Sequence, residues 1–264
     1  MNKISKWLKQ QFAETKLLLR SIPSVVVVGF VIALVAMNLL ANKSIELGSW
    51  SYMANGEQWI ALDCAIIVSW LAFLCMDIIT KRFGPKAATI ITIVAMLCNL
   101  LMAGLLALGS AFNGSWGAYY DLGMIDSVND GLNLTMRGTP FVLFGSTVAF
   151  LVSGIINIFA NYGVGKLFKK NPDGMGAYIC RSYVSTLLGQ FIDNLLFAFI
   201  VSHTLFGWSV LQCVMCSLAG CVVELLCEAI FSPLGYMICK KWNKEGVGNE
   251  YLNFVQVNTA DPIR

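Results

Sequence analysis

The segment Ile179–Ser202 is apolar overall, yet it carries polar side chains at the spacing of one helical face. At 100° per residue this face covers an arc of about 140°, and it holds Ser182, Ser185, Thr186, Gly189, Gln190, Asp193 and Phe197. Leucine and phenylalanine side chains fill most of the remainder. Packing between helices explains the small residues but not Asp193. The pattern therefore predicts a helix that lines a polar cavity, in which Asp193 and nearby amides bind a ligand or form part of a pathway.

A pair of glutamates lies in the apolar segment Ser209–Cys239. Glu224 and Glu228 are four residues apart, so they share one face of a helix. Two carboxylates that are close together in a low-dielectric site cannot both stay charged without a partner. Three interpretations remain open: one carboxyl is protonated, the pair binds a cation, or the pair awaits a cationic substrate. The first of these would allow proton coupling.

Asp77 lies in the apolar segment Trp59–Thr80, which also contains Asp63. An ionisable group at the centre of a bilayer costs about 2.5–3.5 kcal/mol on insertion scales, so it normally faces the protein interior. Asp77 is close to Arg82 near the predicted cytoplasmic end of its helix. Two interpretations follow for Asp77, Arg82 and Arg181: a structural ion pair at the surface that anchors the helix ends, or a role in gating.

The sequence lacks the residues that common catalytic and metal sites require. The single histidine, His203, lies at the end of its segment, so a site with several histidine ligands cannot form. The nine cysteines fall inside or at the ends of apolar segments, and Cys213 and Cys216 have no second CxxC pair. No phosphate-binding loop or dinucleotide fingerprint is present. We therefore expect no enzyme activity, no metal and no cofactor.

Long apolar segments position these polar residues. The chain has 264 residues, of which 57% are hydrophobic and 12% charged, whereas soluble domains carry roughly 25% charged residues. Six segments approach the ~20 residues needed to cross hydrocarbon, and they run over Ser21–Leu40, Trp59–Thr80, Lys86–Gly109, Gly138–Gly165, Ile179–Ser202 and Ser209–Cys239. The predicted fold is an all-α integral membrane bundle of six transmembrane helices. Pro233 and Gly235 favour a break near the end of the last helix.

Basic residues are distributed unevenly among the connections. Of the 18 Lys and Arg residues, 16 lie in the N-terminal arm, the second-to-third connection, the fourth-to-fifth connection and the C-terminal tail. Because cytoplasmic connections are enriched in Lys and Arg, both termini are predicted to be cytoplasmic. The predicted location is the inner (cytoplasmic) membrane, with several passes. No small-residue cleavage site follows the first segment, so we expect it to be retained.

The predicted boundaries divide the chain into an arm at 1–20, a transmembrane domain at 21–240 and a cytoplasmic tail at 241–264. Apolar residues of the arm recur at helical spacing beside lysines, which predicts a short amphipathic helix at the membrane interface. The extracellular connection at 110–137 is long, and it either caps a pathway or forms a solvated loop. No internal repeat is visible, but halves of three helices would face opposite ways, so an inverted three-plus-three repeat remains open.

Three stretches together resemble the vitamin uptake transporter family, whose best-known branch is the queuosine precursor transporters. The stretches are Phe73–Gly84, Ser185–Asp193 and Phe231–Tyr236. The specific part is an Asp-x-x-Thr-x-x-Phe-Gly element that begins at Asp77, combined with a Ser-Thr-x-x-Gly-Gln-x-x-Asp element that begins at Ser185. The resemblance implies a secondary transporter that imports a queuosine precursor (7-cyano- or 7-aminomethyl-7-deazaguanine) or queuine, which serve tRNA modification, by alternating access.

The resemblance also gives the candidate site a ligand. A guanine-like base presents an N–H and an amino group side by side, which a carboxylate can accept in bidentate fashion. Asp193 or Glu228 would accept these donors, Gln190 or Asn194 would read the carbonyl edge, and Phe197 would stack on the ring. A second carboxylate would pair with an aminomethyl cation. The candidate substrate-binding residues are Asp193, Gln190, Asn194, Glu228, Glu224, Phe197, Thr186 and Ser185.

Other functions remain open on the sequence. A substrate-binding membrane subunit of an ATP-driven vitamin importer would also have six helices, so hydropathy does not distinguish it from a secondary transporter. An intramembrane enzyme and a channel are further alternatives. The expected partners are a small-molecule deazapurine base and the lipid bilayer, with a homodimer left open and no direct contact with nucleic acid. The preferred base and the coupling ion are not determined by the sequence.

Overall fold

The fold was obtained as a computed structural model, which describes residues 3–41, 43–114, 116, 125–137, 140–168 and 174–260. It is a bundle of α-helices, and its described helices are α1 (Lys3–Ser21), α2 (Ser24–Leu40), α3 (Ile66–Phe83), α4 (Pro85–Gly109), α5 (Ile125–Arg137), α6 (Pro140–Gly165), α7 (Met175–Phe197), α8 (His203–Phe206), α9 (Val210–Glu245) and α10 (Asn249–Ala260). A π-helical turn (Ala198–Ser202) joins α7 to α8. The only described sheet pairs the short antiparallel strands β1 (Ser44–Ile45) and β2 (Leu62–Asp63). The predicted all-α membrane bundle is confirmed at this level.

Among the described residues, four stretches of helix are long and apolar enough to cross a membrane, and they are Pro85–Gly109, Phe144–Gly165, Met175–Ser202 and Val210–Glu245. A fifth span results if the end of α1 and the whole of α2 are counted together, although they meet at 99°. The helix α3 has 18 residues, but Asp77, Lys81 and Arg82 make it too polar to qualify on composition. Six spans therefore remain a prediction.

The exterior of the bundle is apolar and its interior is partly polar. On α7, Leu187 and Leu188 are exposed by 42% and 44%, whereas Ser182 and Ser185 are completely buried. The helix α9 likewise buries Glu228 and exposes leucine, valine and isoleucine side chains. This polarity is the reverse of that of a surface helix in water, and it suits helices that are surrounded by lipid.

The helix α3 occupies the centre of the bundle. It contacts α2, α4, α6, α7 and α9, and every residue from 72 to 80 is buried. Phe73 packs its ring against Phe150 of α6, and Trp70 stacks on Phe231 of α9. Because neighbouring helices surround α3 on all sides, an ionisable residue can lie on it without contacting lipid.

Several predicted boundaries are wrong. The second helix was expected to begin at Trp59, but it begins at Ile66, because residues 59–65 form β2 and the turns beside it. Asp63 therefore lies in a connection and not in a helix. The predicted break near Pro233 is absent, since α9 continues through Pro233 to Glu245. The connection at 110–137 contains the helix α5, although residues 117–124 lie outside the described part.

The two terminal helices pack together at one end of the bundle. Lys86, at the start of α4, forms an ion pair with Glu14 of α1 at 2.7 Å. Tyr251 of α10 donates a hydrogen bond to the same carboxyl group at 3.3 Å. The α1 helix runs at a steep angle to α2 and exposes Leu8 and Phe12. A helix thus lies where the amphipathic arm was expected, and its contact with a membrane interface remains a prediction.

Candidate functional site

The polar face of α7 points into the bundle. Ser182, Ser185, Thr186 and Gln190 are each at most 1% exposed, and α7 packs mainly between α6 and α9. Gly189 allows α7 to approach α6 closely, because a Cβ atom at this position would lie 2.9 Å from Cβ of Asn157. The sequence periodicity identified this face correctly, and the structure shows which helices it meets.

At the level of Ser182, two carboxyl groups come together deep in the bundle. Ser182 Oγ lies within hydrogen-bonding distance of Asp77 Oδ2 of α3 and of Glu228 Oε1 of α9. Asp77 also accepts hydrogen bonds from the Nδ2 groups of Asn161 and Asn157 of α6, at 2.8 Å and 3.2 Å. We call Asp77, Ser182 and Glu228 the inner carboxyl site. Its two acids are almost inaccessible to solvent, at 0% and 1% exposure.

Three other carboxyl groups lie near enough to act on one another electrostatically, nearer the end of the bundle that carries β1 and β2. Asp193 of α7 accepts a hydrogen bond from Ser153 Oγ of α6 at 2.8 Å. Glu224 of α9 accepts one from Asn194 Nδ2 of α7 at 3.0 Å. Asp193 and Glu224 repel each other electrostatically, and the charge of Asp63 acts on both. We call Asp63, Asp193 and Glu224 the acidic crevice. All three are half-buried, so the crevice is more open than the inner carboxyl site.

Asp63 lies at the edge of this crevice, outside the long helices. Its Oδ1 accepts a hydrogen bond at 2.9 Å from the backbone N–H of Ala65. Burial raises the pKa of the Asp63 carboxyl to about 6, and the hydrogen bond from Ala65 acts in the opposite direction. This group therefore changes charge close to neutral pH.

Unpartnered polar atoms lie between the two groups of carboxyls. Gln190 Nε2 and Thr186 Oγ1 are buried on α7, and neither has a hydrogen-bond partner. Buried amides and hydroxyls without a partner cost about 1–3 kcal/mol each, so these two atoms are candidate contacts for a polar ligand. In the part of the chain that the structure describes, the carboxyls of the crevice form no ion pair.

The predicted site residues thus divide into two sets. Gln190, Asp193, Asn194 and Glu224 belong to the crevice or border it. Ser185 instead contacts Asp77 at 3.3 Å and, like Glu228, belongs to the inner group. The ring of Phe197 is half-buried one helical turn beyond Asp193, at the last residue of α7.

The interpretation of Asp77 as part of a surface ion pair is wrong, because Asp77 is completely buried. Arg82 is directed away from the core and donates hydrogen bonds to Val247 O, Asn243 Oδ1 and Asn249 Oδ1 at 2.8–3.0 Å. Arg181 is buried and donates to Oδ1 of Asn161 at 2.8 Å, and Asn161 in turn donates to Asp77. The guanidinium of Arg181 therefore supports Asp77 through an amide.

Some residues of both sites were not identified from the sequence. Asn161 and Ser153 lie on α6, and only its packing against α7 shows that they face Asp77 and Asp193. Their spacing offered a partial signal, since Ser153, Asn157 and Asn161 recur every four residues along one face of an apolar helix. Asp63 was assigned to the wrong element.

The described residues contain no group of three or more His, Cys, Asp or Glu side chains that could hold a metal ion. A shallow depression lies beside Met237, Lys240, Lys241, Lys244 and Glu245. It lies on the outer surface of the last turns of α9, away from both carboxyl sites. The polar interior is therefore the candidate functional site.

Comparison with known proteins supports a transport role for the chain. The family model described as "Putative vitamin uptake transporter" matches residues 63–238, about two thirds of the chain. The match begins at Asp63 and includes every carboxyl of the two sites. No curated protein and no solved structure matches the chain. On its sequence and on the membrane-spanning helices described above, the chain belongs to the vitamin uptake transporter family.

Proposed function

We propose that this membrane transporter is a secondary transporter that imports a 7-deazaguanine base, either a queuosine precursor or queuine. The observation that carries the proposal is the acidic crevice, where Asp193 and Glu224 act on each other electrostatically and α7 carries buried polar atoms without a partner. The resemblance of Phe73–Gly84 and Ser185–Asp193 to the queuosine precursor branch supports the choice of base.

The crevice supplies the groups that a guanine-like edge requires. Asp193 is half-buried and holds only the Ser153 hydrogen bond, so its remaining lone pairs can accept the adjacent N–H and amino groups of the base. Gln190 Nε2 lies one turn away on α7, buried and without a partner, and would donate to the carbonyl of the base. Thr186, one turn further along, would supply a hydroxyl.

The second carboxylate of the crevice suits a cationic substituent. Glu224 accepts a hydrogen bond from Asn194, and no cationic side chain among the described residues neutralises it. An aminomethyl group attached to the base would place a positive charge against Glu224, with a gain from charge-assisted hydrogen bonding. Phe197, one turn beyond Asp193, would stack on the purine-like ring.

The proposed mechanism is alternating access around this crevice, in a protein with six spans, both termini in the cytoplasm and a location in the inner membrane. The charge distribution among the connections supports this orientation. Arg181, Asn161 and Asp77 form a hydrogen-bonded connection between α7, α6 and α3. We assign these residues to a closed gate at the level of the inner carboxyl site. We assign Arg82 a different role, which is to hold α10 against the bundle.

A substrate-binding subunit of an ATP-driven vitamin importer is the second candidate, because the matched family is defined by uptake of a vitamin and not by an energy source. Such a subunit would bind the base equally well but would not transport it alone. A homodimer is compatible with either function.

Binding of the three bases to the purified chain tests the proposal. We expect saturable binding of at least one 7-deazaguanine, and guanine should displace the aminomethyl base poorly because it lacks the cation that would pair with Glu224. Asp193→Asn should weaken binding by about tenfold or more, since a charge-assisted bidentate pair contributes at least about 1.4 kcal/mol. Asp130→Asn on α5, which changes an exposed carboxylate, serves as the matched control. Equal binding by Asp193→Asn and the wild type would remove the proposed role of Asp193.

A further inference from the structure

The two acids of the inner carboxyl site share a single hydroxyl group. Ser182 Oγ is within hydrogen-bonding distance of both Asp77 Oδ2 and Glu228 Oε1. A serine hydroxyl has one hydrogen, so it can donate to only one of them, and an ionised carboxylate is an acceptor only. The other contact therefore needs a hydrogen from a carboxyl group. The geometry requires one titratable proton to be held by this pair of acids.

The surrounding donors indicate which acid carries that proton. Asp77 Oδ1 accepts from Asn161 Nδ2, Asn157 Nδ2 and Ser185 Oγ at 2.8–3.3 Å. These donors suit an ionised carboxylate. Glu228 contacts Ser182 through one oxygen, while its Oε2 is buried without a partner. A charged carboxylate in that position would be poorly solvated, whereas a protonated Glu228 can donate to Ser182 Oγ.

Two further hydroxyl groups are buried beside Glu228 without partners. Ser232 follows Glu228 by one turn on α9, and its Oγ is completely buried. Tyr178 is one turn before Ser182 on α7, and its hydroxyl lies against Gly235, where a Cβ atom would collide with it. These groups extend the polar environment from Glu228 towards α10. They can accept or donate a hydrogen bond as the charge on Glu228 changes.

The charged and titratable neighbours are few. Towards the inner carboxyl site, α7 presents Tyr178 and Arg181, and α9 presents Cys239 besides Glu228. Lys81 of α3 lies over the ring of Tyr178, with its Nζ 5.9 Å from the ring centroid. The described part of α6 presents only the amides and hydroxyls already named, α2 has no titratable residue, and Lys86 of α4 pairs with Glu14. Glu224 lies one turn before Glu228 on α9.

We propose that Asp77, Ser182 and Glu228 form a proton-binding site that couples proton movement to transport. Glu228 gives its hydrogen to Ser182 Oγ while Ser182 gives its own hydrogen to Asp77 Oδ2. One O–H bond breaks at Glu228 and one at Ser182, one forms at Ser182 and one at Asp77, and the negative charge moves from Asp77 to Glu228. The coupling role rests on the proposed transport function, whereas the bound proton does not.

The position of Glu228 explains how cargo and proton can affect each other. Glu228 is one helical turn from Glu224, and Ser182 is two turns from Gln190 on α7. With a donor-rich or cationic base in the acidic crevice, the negative charge would lie on Glu228 and the proton would be kept on Asp77, so the pair would carry one proton while the base is bound. One proton that moves together with the base can increase the accumulation of the base by at most about tenfold per pH unit.

Uptake by the full chain in liposomes tests the coupling, with radiolabelled 7-aminomethyl-7-deazaguanine as the probe. With an inside-alkaline gradient of about one pH unit, we expect uptake to rise up to about tenfold over the value without a gradient. This ratio should fall to one in Glu228→Gln, and it should stay at the wild-type value in Glu245→Gln, an exposed glutamate on the same helix. A wild-type ratio of one, a response retained by Glu228→Gln, or a response to sodium in place of protons would overturn the coupling.

Infrared spectroscopy tests the proton itself and needs no transport. A buried protonated carboxyl gives a carbonyl band, which we expect in the wild type and in Glu245→Gln at neutral pH and which should lose intensity in Glu228→Gln. Unchanged intensity in Glu228→Gln would overturn the proton site. If the wild type binds none of the bases, the proposed function fails, and the infrared result still decides whether the proton is present.

Discussion

Asp63 combines burial with a position at the edge of the acidic crevice. Its folded-state pKa is about 6, against 3.8 for an unperturbed aspartate. Between these values the folded protein binds more protons than the unfolded chain. The stability that protonation of Asp63 adds to the folded state is therefore fully present below the unfolded pKa, and it is lost as pH rises from about 4 to 6.

Replacing Asp63 with asparagine should remove this dependence. Relative to the wild type, Asp63→Asn should gain stability as pH rises from about 4 to 6 and should show a constant difference above that range. Between pH 4 and 6 the difference in unfolding free energy between Asp63→Asn and the wild type should change by at most about 3 kcal/mol, since one pKa unit corresponds to about 1.4 kcal/mol. Thermal unfolding in detergent across this pH range measures it, with Asp130→Asn as the control. A pH-independent difference between wild type and Asp63→Asn would contradict the raised pKa.

At the residue scale, the sequence could predict which polar residues share one face of a helix, but not which residues of other helices they contact. The polar face of α7 was visible because Ser182, Gln190 and Asp193 recur at helical spacing between leucines. The partner Asn161 could not be found in this way, since the rotation of α6 against α7 depends on packing. Glu228 meets Asp77 through Ser182, and Glu224 accepts a hydrogen bond from Asn194. Both pairings likewise depend on how α9 packs against α7.

At the element scale, the contact between α6 and α7 depends on Gly189. A methyl group there would lie 2.9 Å from Cβ of Asn157 and 3.2 Å from Cε1 of Phe73. Gly189→Ala should therefore destabilise the protein by about 1–3 kcal/mol through overpacking and should disturb the Asn157 contact with Asp77. Gly163→Ala on α6 is the matched control, because a Cβ atom added there would have no neighbouring atom within 4 Å and alanine favours a helix.

The two glycine variants are compared by thermal unfolding and by binding of a 7-deazaguanine. We expect a lower midpoint and weaker binding for Gly189→Ala only. A Gly189→Ala variant that matches Gly163→Ala in both measurements would show that α6 and α7 are not in close contact at this position.

Attachment of α10 is a second element-scale feature, and it depends on Arg82. The guanidinium donates one hydrogen bond each to Asn243 of α9, to Val247 O in the turn and to Asn249 at the start of α10. In this turn Gly248 adopts a φ of +77° against the ring of Phe83. Arg82→Lys cannot reproduce this planar set of donors. We expect faster hydrogen exchange in Asn249–Ala260 and a loss of about 1–3 kcal/mol in local stability. Lys244→Ala, an exposed change on α9, should leave exchange in α10 unaltered; equal protection in Arg82→Lys and the wild type would argue against this attachment.

Element boundaries show where hydropathy was informative. It located the apolar bodies of the helices, but it extended the second one over Trp59–Ala65, because this connection is itself rich in apolar residues. It ended α9 at Cys239, although the helix continues through basic residues to Glu245. Neither α10 nor the paired strands β1 and β2 were predicted, since they carry no long periodic signal.

At the scale of the whole molecule, the polar residues lie at two depths. The carboxyls of the acidic crevice are half-buried near the end that carries β1 and β2, and the inner carboxyl site is buried among residues of α3, α6, α7 and α9. In the proposed mechanism, the half-buried level would hold the base and the fully buried level would form the closed gate. The family match supports a transport function for the chain.

Uptake of radiolabelled 7-deazaguanines by the purified chain alone, reconstituted in liposomes without ATP, tests the central claim most directly. We predict saturable uptake of at least one of the three bases, which the unlabelled base competes and which Asp193→Asn loses while the protein remains in the membrane. Saturable binding without uptake would identify a capture subunit that needs a separate ATPase. Neither binding nor uptake of any of these bases would contradict the proposed cargo.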